Sequence, residues 1–454
     1  MDEELINWAI DKGLEWGADE IEIFSTYVDS FGIEVLLGMF PKTSKNIDSG
    51  AGIRVIKDKK IGFSYTTSFT KESFEKAIKE AISSASASVP LKDWVSLPEP
   101  DKYPEVRNLV DSKLVKLDPD EIMNITKRII SMLSEKDKRI NPLSISSGAG
   151  YSKTIIANSR GVSVQNEKTL IYVGVGVMGV ESSKRTPMIF EFDSSTLFDI
   201  KVDPLVETVA EETLLTLKEA KGRNEKATVI FHPFAFSQLL TYTLIEVLSG
   251  DYVKRGVSPY IDKIGETIAS EILTLIDDGT LEKGLVSGKS DDEGIPMQRK
   301  ILIEDGELKG FYFDNYTGKA TGNASTGNGL RYEMHGFSTT PYANLPKPQP
   351  SNLIIKEGDE KLEEIISEVR NGYMLINLQG AHSSNTESGD FSVAAAPLWR
   401  IENGEIVGSL PGAMISGNMY QLLKHITHIS KETKKIFHMV LPYIAIENVN
   451  VVVK

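Results

Sequence analysis

The sequence contains no cysteine. Disulfides, thiolate zinc sites, iron–sulfur clusters and cysteine nucleophiles are excluded together, and the redox compartment is left open. Basic charge is also short: 50 lysines and arginines face 64 aspartates and glutamates, a formal net charge of −14. A field of that sign repels a phosphate backbone, so no direct nucleic-acid partner is expected. Long apolar runs are missing too. The stretch Leu170 to Val180 is about half of the roughly 20 residues a spanning helix needs, and glycines interrupt it, so no membrane partner is expected. The start, Met1-Asp2-Glu3-Glu4, is acidic where a secretory signal needs a basic segment and then an apolar one. The expected location is cytoplasmic.

What is present is an ordinary globular composition, 41% hydrophobic and 25% charged, in 454 residues. That length exceeds the ceiling of about 250–300 residues for a single core, so more than one domain is expected. Residues 1–221 read as an α+β domain, an antiparallel sheet with flanking helices. It holds an amphipathic helix at Leu5–Ile10, strands at 20–28, 32–37 and 52–66 with a turn at Lys57–Lys60, and a helix over Thr70–Ser84. Four prolines between 89 and 104 mark an irregular excursion or linker. Asp118-Pro119 and Asp203-Pro204 each predict a capped helix, with a long β meander over 143–193 between them. Residues 222–454 read as a mostly-β domain with a few helices. A strand at 227–231 breaks at Pro233 and leads to an apolar helix over 234–248. Asp305-Gly306 and Asn403-Gly404 predict hairpin turns, Thr340–Pro350 an extended loop, Met419–Thr427 a helix and Ala445–Val453 a final strand.

Gly174-Val175-Gly176-Val177-Met178-Gly179 fits the dinucleotide fingerprint in letters but not in context, because valines alternate straight through it and no helix pattern follows. It reads as strand. Of the six histidines, His232, His335, His382, His425, His428 and His438, only His425 and His428 stand at a helical i, i+3 spacing. The run around them is basic, which favours a surface pair over a metal site. Asp277-Asp278 reads as turn chemistry, whereas Asp291–Gly294 and Gly389–Ser392 remain candidates for acid/base or cation work.

Several strings occur together in one order: Asp292-Glu293-Gly294-Ile295-Pro296, Ile303–Gly310, Thr326-Gly327-Asn328-Gly329 with Arg331, Gly389-Asp390-Phe391-Ser392, Ile401–Ile406 and Ile415-Ser416-Gly417-Asn418, preceded by Ala157–Gly161. With them the chain resembles the TldD/PmbA family, proteins once labelled modulators of DNA gyrase and classed as metallopeptidases. The resemblance implies two kinds of subunit that pair. In the catalytic kind, H-E-x-x-x-H and a later cysteine bind zinc, and the Glu activates the bound water. Leu239-Leu240 before and Gly250-Asp251-Tyr252 with Lys254-Arg255-Gly256 after anchor that motif here. They place Thr241 and Glu246 at the two His positions and Tyr242 at the Glu position, and the cysteine stretch falls around Ile436–His438.

Thr is a poor zinc ligand, Tyr cannot serve as the carboxylate base, and a lone Glu does not hold a borderline-soft ion. The chain thus resembles the PmbA (TldE) kind, a non-catalytic subunit, although Thr326–Arg331 and the loop after it are closer to the catalytic pattern. The resemblance implies no catalytic, metal or cofactor residue in this chain. It implies zinc in a TldD-type partner (heterodimer or larger assembly, with a homodimer when alone), and a peptide substrate. Asp251, Asp292, Glu293, Asn328, Arg331 and Asp390 are the candidate channel or interface residues. Two alternatives stay open: a hydrolase with an atypical metal site drawn from Glu246, Asp291, Glu293, Asp390, His425 or His428, and a regulator that contacts gyrase through protein surface.

Overall fold

The structure, a computed structural model, describes residues 3–37, 41–332 and 340–453. It is an α+β fold with two large sheets. The first half runs α1 (Glu3–Glu15), β1 (Glu20–Leu36), β2 (Lys42–Lys57), β3 (Lys60–Thr66), α2 (Lys71–Ala87), α3 (Pro119–Lys136), β4 (Ile140–Asn158), β5 (Ser163–Glu181), β6 (Ile189–Ser195) and α4 (Val202–Thr216). Its sheet has the order β3-β2-β1-β4-β5-β6, every neighbour antiparallel. Because side chains alternate across a strand, Ile21, Ile23, Ile33 and Val35 share one face of β1. Helices α1 and α2 bury one end of that face, and α3 and α4 the other. The opposite face carries Glu22 and Phe24 toward the second half of the chain.

Gly62 of β3 sits where α2 crosses. A Cβ there would lie 1.9 Å from the Ala81 carbonyl oxygen and 2.4 Å from the Ala85 nitrogen, both backbone atoms that cannot rotate away. Gly62→Ala should therefore lift α2 and destabilise the chain by about 1–3 kcal/mol, as overpacking does. A urea midpoint equal to that of the wild type would refute this.

The second half runs β7 (Glu225–Phe231), α5 (Pro233–Leu240), β8 (Leu275–Asp278), β9 (Arg299–Glu304), β10 (Leu353–Ile355), α6 (Leu362–Val369), β11 (Gly372–Leu375), β12 (Leu398–Glu402), β13 (Glu405–Ser409), β14 (Ile426–Ile436) and β15 (Met439–Val453), with the paired strands Asp390–Ala395 and Ala413–Asn418 and other pieces between. Its mixed sheet follows the path β9-β8-β10-β15-β7-β11-β12-β13. Strand β15 is the axis, antiparallel to β7 and β14 and parallel to β10. α5 and the turns after it cover one face, and α6 the other. Asp305-Gly306 and Asn403-Gly404 both adopt positive φ at their two positions, as the predicted hairpin turns require.

Several elements differ from expectation. β1 is one strand of 17 residues rather than two, and β2 begins ten residues early, at Lys42. Pairing on both edges holds β1 straight through Asp29-Ser30-Phe31 without an apolar pattern. Pro233 does not break the chain but opens α5 at its first position, capped by His232. The N-cap of α4 is Lys201, not Asp203, which instead pairs with Arg128 of α3 at 2.6 Å. The predicted helix at Met419–Thr427 is cut short at His425, because Ile426, Ile429 and their neighbours pair with β15 as strand. His425 and His428 therefore share no helix face. Gly174–Gly179 lies inside β5, as the sequence suggests. The proline-rich segment 89–104 is irregular yet tied down. Trp94 and Leu97 are buried, the Ser96 carbonyl accepts from Asn315 Nδ2 at 2.8 Å, and Tyr103 donates to the Gly294 carbonyl at 3.1 Å. No described helix is long and apolar enough to cross a membrane.

Candidate functional site

α5 begins where His232 Nδ1 accepts the Phe234 amide at 3.1 Å, and it buries Ala235, Phe236, Leu239 and Leu240. Its continuation, Thr241–Ile245, is a π turn. Such turns cluster at functional sites because they rotate the side chains that follow. On an α-helix, positions 241 and 246 would stand about 140° apart, five residues at 3.6 per turn. Hydrogen bonds from i to i+5 instead bring residue 246 nearly above residue 241. The π turn thus gives these two positions a shared side, which is what a ligand pair spaced by five requires.

The residues there do not use it for metal. The Thr241 hydroxyl donates to the Ser237 carbonyl at 2.8 Å, and Thr243 donates to Leu239 in the same way. Glu246 accepts from the Tyr252 hydroxyl at 2.7 Å, and the Arg255 guanidinium lies 4.5 Å from the Tyr252 ring centre. The Tyr242 ring meets His382 edge-on at 6.4 Å, and its carbonyl accepts from Thr386 at 3.1 Å. Tyr420 donates to the carbonyls of Thr243 and Thr386 and packs edge-on against Tyr260 at 5.3 Å. The stretch Ile436–His438 forms the turn between β14 and β15, with Phe437 at positive φ. Burial holds the His438 imidazole low, at about 4, against the opposing pull of Asp277. A hydroxyl spent on its own helix, a phenol and a carboxylate spent on another phenol are not a zinc donor set, so the residues present do not fit the ion.

Asp292, Glu293, Asn328 and Arg331 come together elsewhere, in a buried polar knot between the halves. Arg331 Nη2 reaches Glu22 Oε1 of β1 at 2.6 Å, and its guanidinium lies 4.4 Å from the Phe24 ring centre. Arg54 of β2 donates to the other oxygen of Glu22 and stands 2.9 Å from Glu293 Oε1. Glu293 Oε2 accepts the Asn315 amide at 2.8 Å, and Asp292 accepts the Arg331 amide at 2.7 Å. Asn328 Nδ2 donates to Asp277 at 2.7 Å, and Lys300 pairs with the same carboxylate at 2.8 Å. Asp291 accepts from the amides of Glu293, Ile295 and Gly329. Burial raises Asp291 well above the carboxylate range, helped by the charge of Glu293 and opposed by those three bonds.

Asp251 and Asp390 lie outside the knot. Asp251 pairs with Arg255 at 3.0 Å on the surface. Asp390 accepts from Asn418 and Ser388, each at 2.8 Å, which lowers its pKa. His425 is exposed, and His428 stands 2.9 Å from Glu360. His335 is outside the described residues. Sequence reasoning missed Glu22 and Arg54, two buried charges flanked by Ile21 and Ile23 and by Ile53 and Val55, which is itself a sequence signal of pairing. It also missed two trios whose ligand-type atoms lie within 4.8 Å of one another, Glu191–Glu212–His232 and Glu360–Glu368–His428. Neither includes Thr241, Tyr242 or Glu246.

Residues 224–453 match the profile described as the PmbA/TldA metallopeptidase C-terminal domain, and residues 21–85 and 113–217 match domain 1 and the central domain of the same family. The chain belongs to the TldD/PmbA family. TldE from Thermococcus kodakarensis shares the fold with a TM-score of 0.92 and 33% identity, over 99% of this chain and 100% of that one. Protein MJ0231 of Methanocaldococcus jannaschii is 30% identical over 431 residues, 93% of each chain. A Buchnera aphidicola protein named metalloprotease TldD homolog is 26% identical over 85% of this chain and 80% of its own length. Within the TldD/PmbA family, this member carries Thr241, Tyr242 and Glu246 on and just after the π turn that follows α5.

Proposed function

We propose that this chain is a TldE-like, non-catalytic subunit that pairs with a TldD-type zinc peptidase and helps it act on peptides. One observation supports the reading above all others. The helix that answers to the family's metal motif presents Thr241, Tyr242 and Glu246, each engaged within the protein, and the sequence has no cysteine to complete a site. Zinc belongs to the partner in this reading, and an extended peptide is held between the subunits, where strand addition to exposed backbone suits unfolded segments.

The test uses the purified chain, a TldD-type protein that carries H-E-x-x-x-H, and their mixture. Co-elution of the two and chelator-sensitive cleavage of an unfolded peptide by the mixture are the expected results, with this chain alone inactive and holding less than about a tenth of a zinc ion, against the tight binding of a built site. Cleavage by this chain alone, abolished by chelator, would overturn the reading in favour of a hydrolase with an atypical site.

A further inference from the structure

A second buried polar cluster lies at the seam of the two halves, apart from the knot around Arg331. Glu191 of β6 and Glu212 of α4 come from the first half; His232, which caps α5, and Lys434 of β14 come from the second. The Lys434 ammonium sits 2.5 Å from Glu191 Oε1, and His232 Nε2 lies 3.9 Å from the same oxygen. Two buried atoms have no hydrogen-bond partner, Glu212 Oε2 and His232 Nε2. Beside them is a cavity of about 10 Å³ walled by Phe190, Phe192, Phe234 and Phe437, at the lower limit for a single water.

The trio does not suit a metal ion. A coordinating imidazole offers one nitrogen's lone pair and donates the hydrogen on the other. Here Nδ1 already accepts the Phe234 amide, so the neutral ring carries its hydrogen on Nε2, the atom that faces the carboxylates. What the cluster lacks is a second positive charge: one ammonium and a neutral imidazole face two carboxylates in an aromatic enclosure. Like charges this close do not both ionise in a poorly solvated site.

We propose that Glu191, Glu212, His232 and Lys434 form a proton-dependent clasp between the two halves, closed while Glu212 is neutral and loosened when it ionises. Burial raises Glu212 most, the Glu191 charge raises it further and Lys434 opposes, so that it is pushed up to about 8. Burial also keeps His232 uncharged. The remaining charged groups that Glu212 senses are few. Glu211 of its own helix adds to the repulsion, and the Tyr443 hydroxyl of β15 feels Glu212, Glu191 and Glu432. Of the cations of α3, Arg128 pairs with Asp203 and Lys136 with Glu207, and Lys127 is exposed.

The direction follows from a raised acid. Its stabilising contribution is complete below its unfolded pKa of 4.5 and is lost as pH climbs through about 8. Hydrogen exchange in β6 and β14, corrected for intrinsic acceleration by pH, reads the seam directly. Between pH 7 and 9.5 the corrected rates should rise by up to about tenfold in the wild type and stay flat in Glu212→Gln, which keeps the shape without the charge. Lys434→Met, which removes the opposing cation, should move the rise to higher pH. Equal rises in the wild type and Glu212→Gln, or an unmoved transition in Lys434→Met should Glu212→Gln fail to fold, would overturn the proposal.

Discussion

Replacing Arg331 with methionine should destabilise the chain by about 3–5 kcal/mol, the loss that follows when one partner of a buried ion pair is removed. The reason lies in what is left behind. Arg331 and Glu22 are both fully buried, and Glu22 divides its two oxygens between Arg331 and Arg54. Without the guanidinium, Glu22 Oε1 loses its partner in a place water does not reach, and the Asn344 carbonyl loses a donor. The same guanidinium covers the Phe24 ring, so the substitution also strips packing from the seam. Adding Glu22→Gln should recover part of the loss, because the stranded charge is then gone, and the two substitutions should be non-additive by about 0.5–3 kcal/mol. As a contrast, Lys12 and Glu15 form an exposed pair on α1, and Lys12→Met should change stability by no more than about 0.5 kcal/mol. Urea midpoints for the four variants decide the matter. If Arg331→Met unfolds within about 0.5 kcal/mol of the wild type, the seam is held by something other than this network.

The knot shows what the sequence could and could not deliver. Asp292, Glu293, Asn328 and Arg331 stand out as motif letters, and the fold does gather them in one place. Their partners Glu22 and Arg54 lie about 240 to 310 residues away, in strands where Ile21, Ile23, Ile53 and Val55 carry the apolar alternation. Pairing across such a distance is a property of the assembled sheets, not of any local pattern. Short-range chemistry was legible for the converse reason. Asp305-Gly306 and Asn403-Gly404 need positive φ, Asp118-Pro119 needs a helix start, and each requirement is met within four residues.

The failures follow the same division. β2 runs from Lys42 through a polar stretch with no buried face, held by backbone pairing to β1 that composition does not reveal. His425 and His428 have helical spacing, but β15 supplies a long partner strand, and tertiary pairing overrides the local preference. His232 was visible as one of six histidines. Its place opposite Glu191 and Glu212 depends on β6 and α4 meeting β14 across the seam.

Two histidines placed at Thr241 and Glu246 should bind zinc more tightly than one placed at Glu246 alone, by at least about tenfold or 1.4 kcal/mol. On a regular α-helix the second histidine would add little, since residues five apart stand about 140° from one another. The π turn at Thr241–Ile245 is what brings the two positions to a shared side. The turn is held from within. Thr241 and Thr243 return their hydroxyls to the carbonyls of Ser237 and Leu239, and Leu244, Ile245, Val247 and Leu248 stay locked in the core, so packing alone maintains the geometry. The pair makes no complete site, because the sequence offers no cysteine as a third ligand, and the comparison therefore rests on relative affinity rather than on full occupancy. Titration of the double and single variants with zinc alone, followed by competition with a chelator of known affinity, gives the ratio. Equal affinities would mean that the turn is regular in solution, and would remove the geometric link between this helix and the zinc-binding helix that the family resemblance implies for catalytic subunits.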